Sequence, residues 1–184
     1  MCIRDSPDTL QKSLFKWIID PVDGTLSLTK GVPLYGTLLG LLYDNAPLYG
    51  SVRFPLLHKL ICGNGQVAYE NGYTISCDNS ITLGQSLILT TDENRINFSK
   101  YKSSWERLND LTSTRRTWGD CYGYYLVCSG KAQVMFDIDL KPCDILPLVP
   151  IIKGAGCEII ELEKPYRDII VCTKSLKEEI LECF

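Results

Sequence analysis

The apolar positions of the chain fall into two textures. Between residues 34 and 76 they form short runs separated by turn residues. Residues 34–43 are one long apolar run whose glycines favour a strand packed on both faces over a helix. Asp44-Asn45-Ala46-Pro47 reads as a turn. Residues 49–54 follow as a strand that Pro55 ends, and 59–62 as another, closed by Gly63-Asn64-Gly65. Residues 66–70 and 73–76 flank Asn71-Gly72, the strongest short-range hairpin signal. These runs predict an antiparallel meander. From residue 86 onward, strand-like and helix-like stretches alternate. Strands are expected at 86–91, 114–118, 133–138, 157–160 and 168–172. A helix is expected over 104–111, with Trp105, Leu108 and Leu111 on one face, and an apolar one over 121–129 with Gly130 as its C-cap. Asp144 is placed as the N-cap of a further helix. Pro147 would fall in its first turn, Pro150 would kink it, and Gly154-Ala155-Gly156 would stop it. Ser175 would cap a last helix over 176–182. The fold class that follows is α/β: a meander sheet and then a mixed α/β half, dividing into 7–83 and 84–184.

Residues 17–25, Trp-Ile-Ile-Asp-Pro-Val-Asp-Gly-Thr, carry the densest chemistry. A buried strand over 17–19 would deliver Asp20 to its exposed end. Pro21 then sets a turn that can aim the Asp20 and Asp23 carboxylates and the Val22 carbonyl at one point. Converging oxygen ligands suit a hard divalent cation such as magnesium. Gly24 lets the backbone approach a ligand, and Thr25 can cap a helix whose free N–H groups would hold an anion. A cation beside an anion site points to phosphate chemistry. Taken alone, Asp-Pro and Asp-Gly are common turn dipeptides. The nine-residue whole is far more specific.

Composition narrows the classes. The chain has 184 residues, 45% hydrophobic and 22% charged, as a globular domain requires. A net charge of −3 argues against a nucleic-acid binder, and no apolar run is long enough to span a membrane. Nine cysteines, an odd number without zinc-site spacing, read as reduced, buried small hydrophobes and point to the cytoplasm. The single histidine, His58, lies in the meander away from either motif, so Ser/His or Cys/His catalysis is poorly supported. Residues 1–6, Met-Cys-Ile-Arg-Asp-Ser, resemble a translated sequencing adapter and are set aside as non-native.

A second constellation lies downstream: Trp118-Gly119-Asp120-Cys121-Tyr122-Gly123-Tyr124, followed by residues 140–150, Leu-Lys-Pro-Cys-Asp-Ile-Leu-Pro-Leu-Val-Pro. With the 17–25 stretch, it resembles the inositol monophosphatase superfamily of magnesium-dependent, lithium-sensitive phosphatases, and within it the histidinol-phosphatase type. The resemblance runs from about residue 17 to 184 and implies the layered α/β sandwich of sugar phosphatases. It further implies that Asp20, the Val22 carbonyl, Asp23 and Asp144 bind magnesium, and that Gly24 and Thr25 hold the phosphate. The Thr25 hydroxyl would orient a water, and Asp20, Asp23, Thr25 and Asp144 would form the catalytic set. Asp120 and Asp137 would face the non-phosphate end of the substrate, where the ammonium and imidazole of histidinol phosphate suit acidic partners. Read without the family, Asp144 and Asp120 are simple helix caps, and Asp137 is a solvated strand end. Trp118 stands where the family tends to have glycine.

The expected partner is a small phosphorylated metabolite, with neither nucleic acid nor membrane, and a homodimer is compatible with this reading. The expected reaction is metal-assisted hydrolysis of a phosphate monoester, as a late step of histidine biosynthesis. An inositol-1-phosphate or other sugar-phosphate phosphatase is the alternative. The family also uses a glutamate pair about twenty residues before the first motif aspartate. Counting back from Asp20 reaches residues 1–6, so the chain is expected to be an N-terminally truncated fragment. A metal- or phosphate-binding remnant without catalysis is therefore the third reading.

Overall fold

The structure, a computed structural model, describes residues 13–184. The expected foreign segment at 1–6 lies outside them. The first half contains β1 (Phe15–Asp23), the short helix α1 (Thr25–Thr29), β2 (Gly36–Tyr43), β3 (Ala46–Phe54), β4 (Lys59–Gly63), β5 (Ala68–Glu70) and β6 (Tyr73–Ile75). These strands form one antiparallel sheet in sequential order, as the turn-separated pattern predicts. Two hairpins close with two-residue loops whose central residues both have positive φ: Asp44 (48°) with Asn45 (65°), and Asn71 (49°) with Gly72 (89°). That geometry matches the right-handed strand twist, and Asn, Asp and Gly tolerate it best.

Two expectations about this sheet need correction. Residues 17–19 are not a buried strand. They belong to the edge strand β1, where Trp17 is 65% exposed and Ile19 is exposed while Asp20 is buried. Likewise β2 is not packed on both faces: Leu38, Gly40 and Leu42 point inward, and Thr37, Leu39 and Tyr43 are exposed. The physical reason is that packing covers only one face of the sheet among the described residues, so side chains alternate in and out with period two.

The second half contains β7 (Leu87–Leu89), α2 (Glu93–Asn97), α3 (Lys102–Asp110), β8 (Thr114–Arg116), α4 (Asp120–Cys128), β9 (Val134–Asp137), α5 (Pro142–Ile145), α6 (Val149–Gly154), β10 (Cys157–Glu163), β11 (Asp168–Thr173) and α7 (Lys177–Leu181). Its sheet runs β10-β11-β9-β7-β8, with β7 parallel to both β8 and β9 and the other pairs antiparallel. β7, β9 and β11 read as continuous apolar runs because both faces are buried, whereas the edge strand β8 is polar and exposed. Leu89, Met135, Ile169 and Val171 face the first sheet across α4 and α6. Ile88, Val134, Phe136, Ile170 and Cys172 face α2, α3 and α7 through Ile96, Trp105, Leu108 and Ile180. The layers are sheet, helices, sheet, helices, and the larger core draws on both halves of the chain.

Gly130 (φ 72°) ends α4 as expected: its N–H donates to the Val127 carbonyl at 3.1 Å, and the Lys131 N–H donates to Leu126 at 2.9 Å. Leu111, in contrast, lies beyond α3 and is exposed. Ser175 does not cap the last helix; its N–H donates to Asn79 Oδ1 at 3.1 Å. Instead of one helix kinked at Pro150, the chain forms α5 and α6 with a break around Pro147. A proline inside a helix removes a donor and clashes with the preceding turn. The break is also held from outside. A Cβ at Gly40 would lie 3.1 Å from Pro147 Cα, one at Gly50 would lie 1.7 Å from the Pro147 oxygen, and one at Gly63 would lie 2.6 Å from Ile151 Cα. Bare backbone in β2, β3 and β4 thus lets the α5–α6 segment lie directly on the inner face of the sheet.

Candidate functional site

Asp20 shares the inward face of β1 with Ile18, opposite Gly40 and Leu38. That is the face on which the Pro147 segment rests, so Asp144 arrives beside Asp20. The Asp20 and Asp144 carboxylates and the Cys143 sulfur lie within 4.8 Å of one another, with Cys143 Sγ 3.2 Å from Asp144 Oδ1. Cys143 is disulfide-bonded, so the expectation that the cysteines are reduced does not hold for it and its sulfur is not a thiolate ligand. Asp144 is not an N-cap. It occupies the third position of α5, and its Oδ2 accepts the Lys141 N–H at 3.0 Å, with Pro142 opening the helix. The reason is Pro142, whose fixed φ and missing N–H suit the first helical position and move the cap back to Lys141.

A register shift between Asp20 and Asp23 bulges β1 at Pro21-Val22. Asp20 Oδ1 accepts the Val22 N–H at 3.1 Å, and Thr37 Oγ1 donates to the Pro21 carbonyl at 2.9 Å. Gly24, not Thr25, stands at the helix N-cap, with φ 80°. Thr25 is the first helical residue, and its hydroxyl donates to the Val22 carbonyl at 3.2 Å. A Cβ at Gly24 would meet the Leu34 oxygen at 2.9 Å, so only glycine fits. Asp23 turns toward α4, where its Oδ2 accepts the Cys121 N–H at 2.5 Å.

Asp120 opens α4 with φ 51°, partly buried. Burial raises its pKa, the Asp144 and Asp20 charges add to that, and Arg95 pulls it back. Burial, and next the Asp120 charge, push Asp23 up to about 7 against hydrogen bonds from Cys121. Asp144 is raised by burial, opposed by the Lys141 N–H and reinforced by Asp20. Asp20 and Asp144 lie together, their charges act on Asp120, and Asp23 turns from that pair toward Cys121. Carboxylates gathered in a partly buried site repel one another, and a bound cation offsets that repulsion. A hard divalent ion bound by oxygen ligands fits this donor set.

Asp137 is the exception. The resemblance places it against substrate, yet it is 4% exposed at the end of β9. Its Oδ1 accepts the Thr91 N–H at 2.9 Å, and its Oδ2 accepts the Thr91 hydroxyl at 3.0 Å and the Tyr124 hydroxyl at 3.1 Å. The carboxylate is short and fully engaged below the site. Burial pushes it up to about 7, against those bonds. Thr91, Tyr124 and Cys143 carry no role that the sequence alone assigns. Each is an ordinary core or strand-end residue locally, and only the fold gives it neighbours.

The ends of β7, β8 and β9 supply Thr91, Asp120 and Asp137. Helices α2 and α3 leave toward one face of this sheet and α4 toward the other. Such diverging crossovers open a crevice at the carboxyl ends of parallel strands, a common place for ligands.

Comparison with known proteins gives the family and supports the fold. The model of the inositol monophosphatase family matches residues 3–182. The bifunctional phosphatase IMPL2, chloroplastic, of Arabidopsis thaliana is 35% identical over 161 residues, covering 87% of this chain and 44% of that protein. A histidinol-phosphatase of Chlorobaculum parvum is 34% identical over 142 residues, covering 77% and 55%. An inositol monophosphatase structure from Zymomonas mobilis superposes with a TM-score of 0.86 at 25% identity, covering 96% of this chain and 73% of that one. The chain thus spans about half the length of those two curated relatives. Among the described residues, no helix is long and apolar enough to cross a membrane. With its fold, its aspartate cluster and a match over nearly the whole sequence in accord, the chain belongs to the inositol monophosphatase family.

Proposed function

We propose that this chain carries the cation and phosphate site of a magnesium-dependent phosphate monoester hydrolase, and that its substrate is histidinol phosphate. Asp20, Asp23, Asp144 and the Val22 carbonyl would hold the cation. Gly24 and Thr25 would receive the phosphate through their N–H groups, with the Thr25 hydroxyl orienting a water. When bound, magnesium would lower the pKa of a coordinated water and neutralise charge on the phosphoryl oxygens and the leaving alkoxide.

The observation that carries the substrate choice is the position of Asp120, partly buried beside Asp20 and Asp144 at the start of α4. A substrate bearing an ammonium gains charge-assisted hydrogen bonds there. A neutral polyol leaves the carboxylate poorly paired, at a cost of about 1–3 kcal/mol, or roughly tenfold to a hundredfold in affinity. An inositol-1-phosphate phosphatase is the competing reading, favoured by the likeness to the Zymomonas mobilis structure.

Calorimetric titration with both phosphates, in the presence of magnesium, separates the two. Histidinol phosphate should bind at least tenfold more tightly, and Asp120→Asn should erode that preference while the protein still binds magnesium. Equal affinities in the wild type would reject the histidinol assignment. Phosphate release, followed in parallel, distinguishes an enzyme from a binding remnant.

A further inference from the structure

Asp120 has an unusual backbone. Its φ of 51° lies in the left-handed region, where an aspartate is tolerated but not favoured. Its N–H donates to Thr91 Oγ1 at 2.8 Å. The same oxygen donates its proton to Asp137 Oδ2 at 3.0 Å, so the Thr91 hydroxyl is used in both directions. Thr91 is itself fixed: its N–H is held by Asp137 Oδ1, and Tyr124, one turn along α4 from Asp120, donates its hydroxyl to Asp137 Oδ2. Gly119 fits against this threonine with nothing to spare, because a Cβ there would lie 2.2 Å from Thr91 Cα. The next residue, Cys121, gives its N–H to Asp23. Two consecutive N–H groups at the start of α4 are therefore tied to different acids, one through Thr91 to Asp137 and one directly to Asp23.

We propose that Thr91 and Asp137 are positioning residues that set where the Asp120 carboxylate stands, and so govern substrate choice without touching substrate. Asp137 is buried and its oxygens are already engaged, so it acts through Thr91. Thr91 needs a hydroxyl that can donate to Asp137 and accept from Asp120 at once, a demand that serine meets and valine does not. Valine keeps the shape and deletes both bonds, freeing the Asp120 N–H and its left-handed backbone. This inference rests on the reading of Asp120 as the substrate-facing acid.

The test compares Thr91→Val, Thr91→Ser and wild type, all with magnesium. Two quantities are read: the ratio of histidinol phosphate to inositol-1-phosphate affinity, and the amide resonance of Asp120 in ¹⁵N-labelled protein. Thr91→Val should cut the ratio about tenfold, the worth of one well-placed charge-assisted hydrogen bond. It should also shift the Asp120 amide while leaving magnesium affinity unchanged. Thr91→Ser should restore both. Asp137→Asn supplies a second probe, since its amide would donate to Thr91 Oγ1 in competition with the Asp120 N–H, and it should shift the same resonance. An unmoved Asp120 amide and an unchanged ratio in folded Thr91→Val would overturn the positioning role, as would a ratio that serine fails to rescue. If the wild type shows no substrate preference, the substrate reading falls. The amide shift still decides whether the relay exists.

Discussion

A single methyl group on the first sheet should disable the proposed cation site from a distance. In Gly50→Ala the new Cβ would lie 1.7 Å from the Pro147 carbonyl oxygen and 2.8 Å from its carbon. Nonbonded heavy atoms need about 3.5 Å, so the α5–α6 segment must retreat by roughly 1.5–2 Å. Backbone faces backbone here, and no flexible side chain can absorb the strain. Pro147 is three residues from Asp144, whose ligand atoms now lie within 4.8 Å of those of Asp20. Metal sites tolerate only about 0.2 Å in ligand distance, so a shift of this size removes Asp144 from shared coordination. Overpacking of this kind costs about 1–3 kcal/mol. At about 2–4 °C per kcal/mol for a chain of this length, the melting temperature should fall by roughly 2–12 °C. Calorimetry should show magnesium affinity reduced at least tenfold. Gly84→Ala is the control, because its Cβ would meet nothing closer than 3.9 Å, and it should melt and bind like wild type. A Gly50→Ala protein with wild-type melting and magnesium affinity would refute the idea that this glycine contact docks Asp144.

Asp144→Asn should abolish measurable magnesium binding and phosphate release from either substrate, as read by calorimetry and a phosphate assay. Stability of the cation-free protein should fall as pH rises from 5 to 7. Asp137, near 7 in the fold against 3.8 ordinarily, keeps a proton there that the unfolded chain has lost. One such group contributes up to about 1.4 kcal/mol per pH unit, so urea melts of Asp137→Asn should show a flatter profile; an identical slope in both proteins would contradict this. Gly24→Ala combines a left-handed φ of 80° with a contact to Leu34 at 2.9 Å. The backbone penalty alone is about 1–2 kcal/mol, and the variant should melt lower and bind inorganic phosphate more weakly than wild type.

What the sequence determined by itself is what depends on neighbours along the chain. The hairpin at Asn71-Gly72 and the C-cap at Gly130 both follow from the φ preferences and hydrogen-bonding capacity of a few consecutive residues. The alternation of strand and helix after residue 86 follows from hydrophobic period, and it was legible for the same reason. The tertiary structure alone decided what depends on residues far apart. Trp17 and Asp137 show the two directions of error. An apolar run suggests burial, but Trp17 lies on an edge strand with one uncovered face. A strand-end aspartate suggests exposure, but Asp137 is enclosed by Thr91, 46 residues away, and by Tyr124. Gly40 reads locally as a residue that disfavours a helix and Gly63 as part of a turn, yet with Gly50 they admit the backbone of Pro147 and Ile151. Burial and close approach are properties of the partner surface, and a sequence states its own side chains without stating which distant ones will cover them.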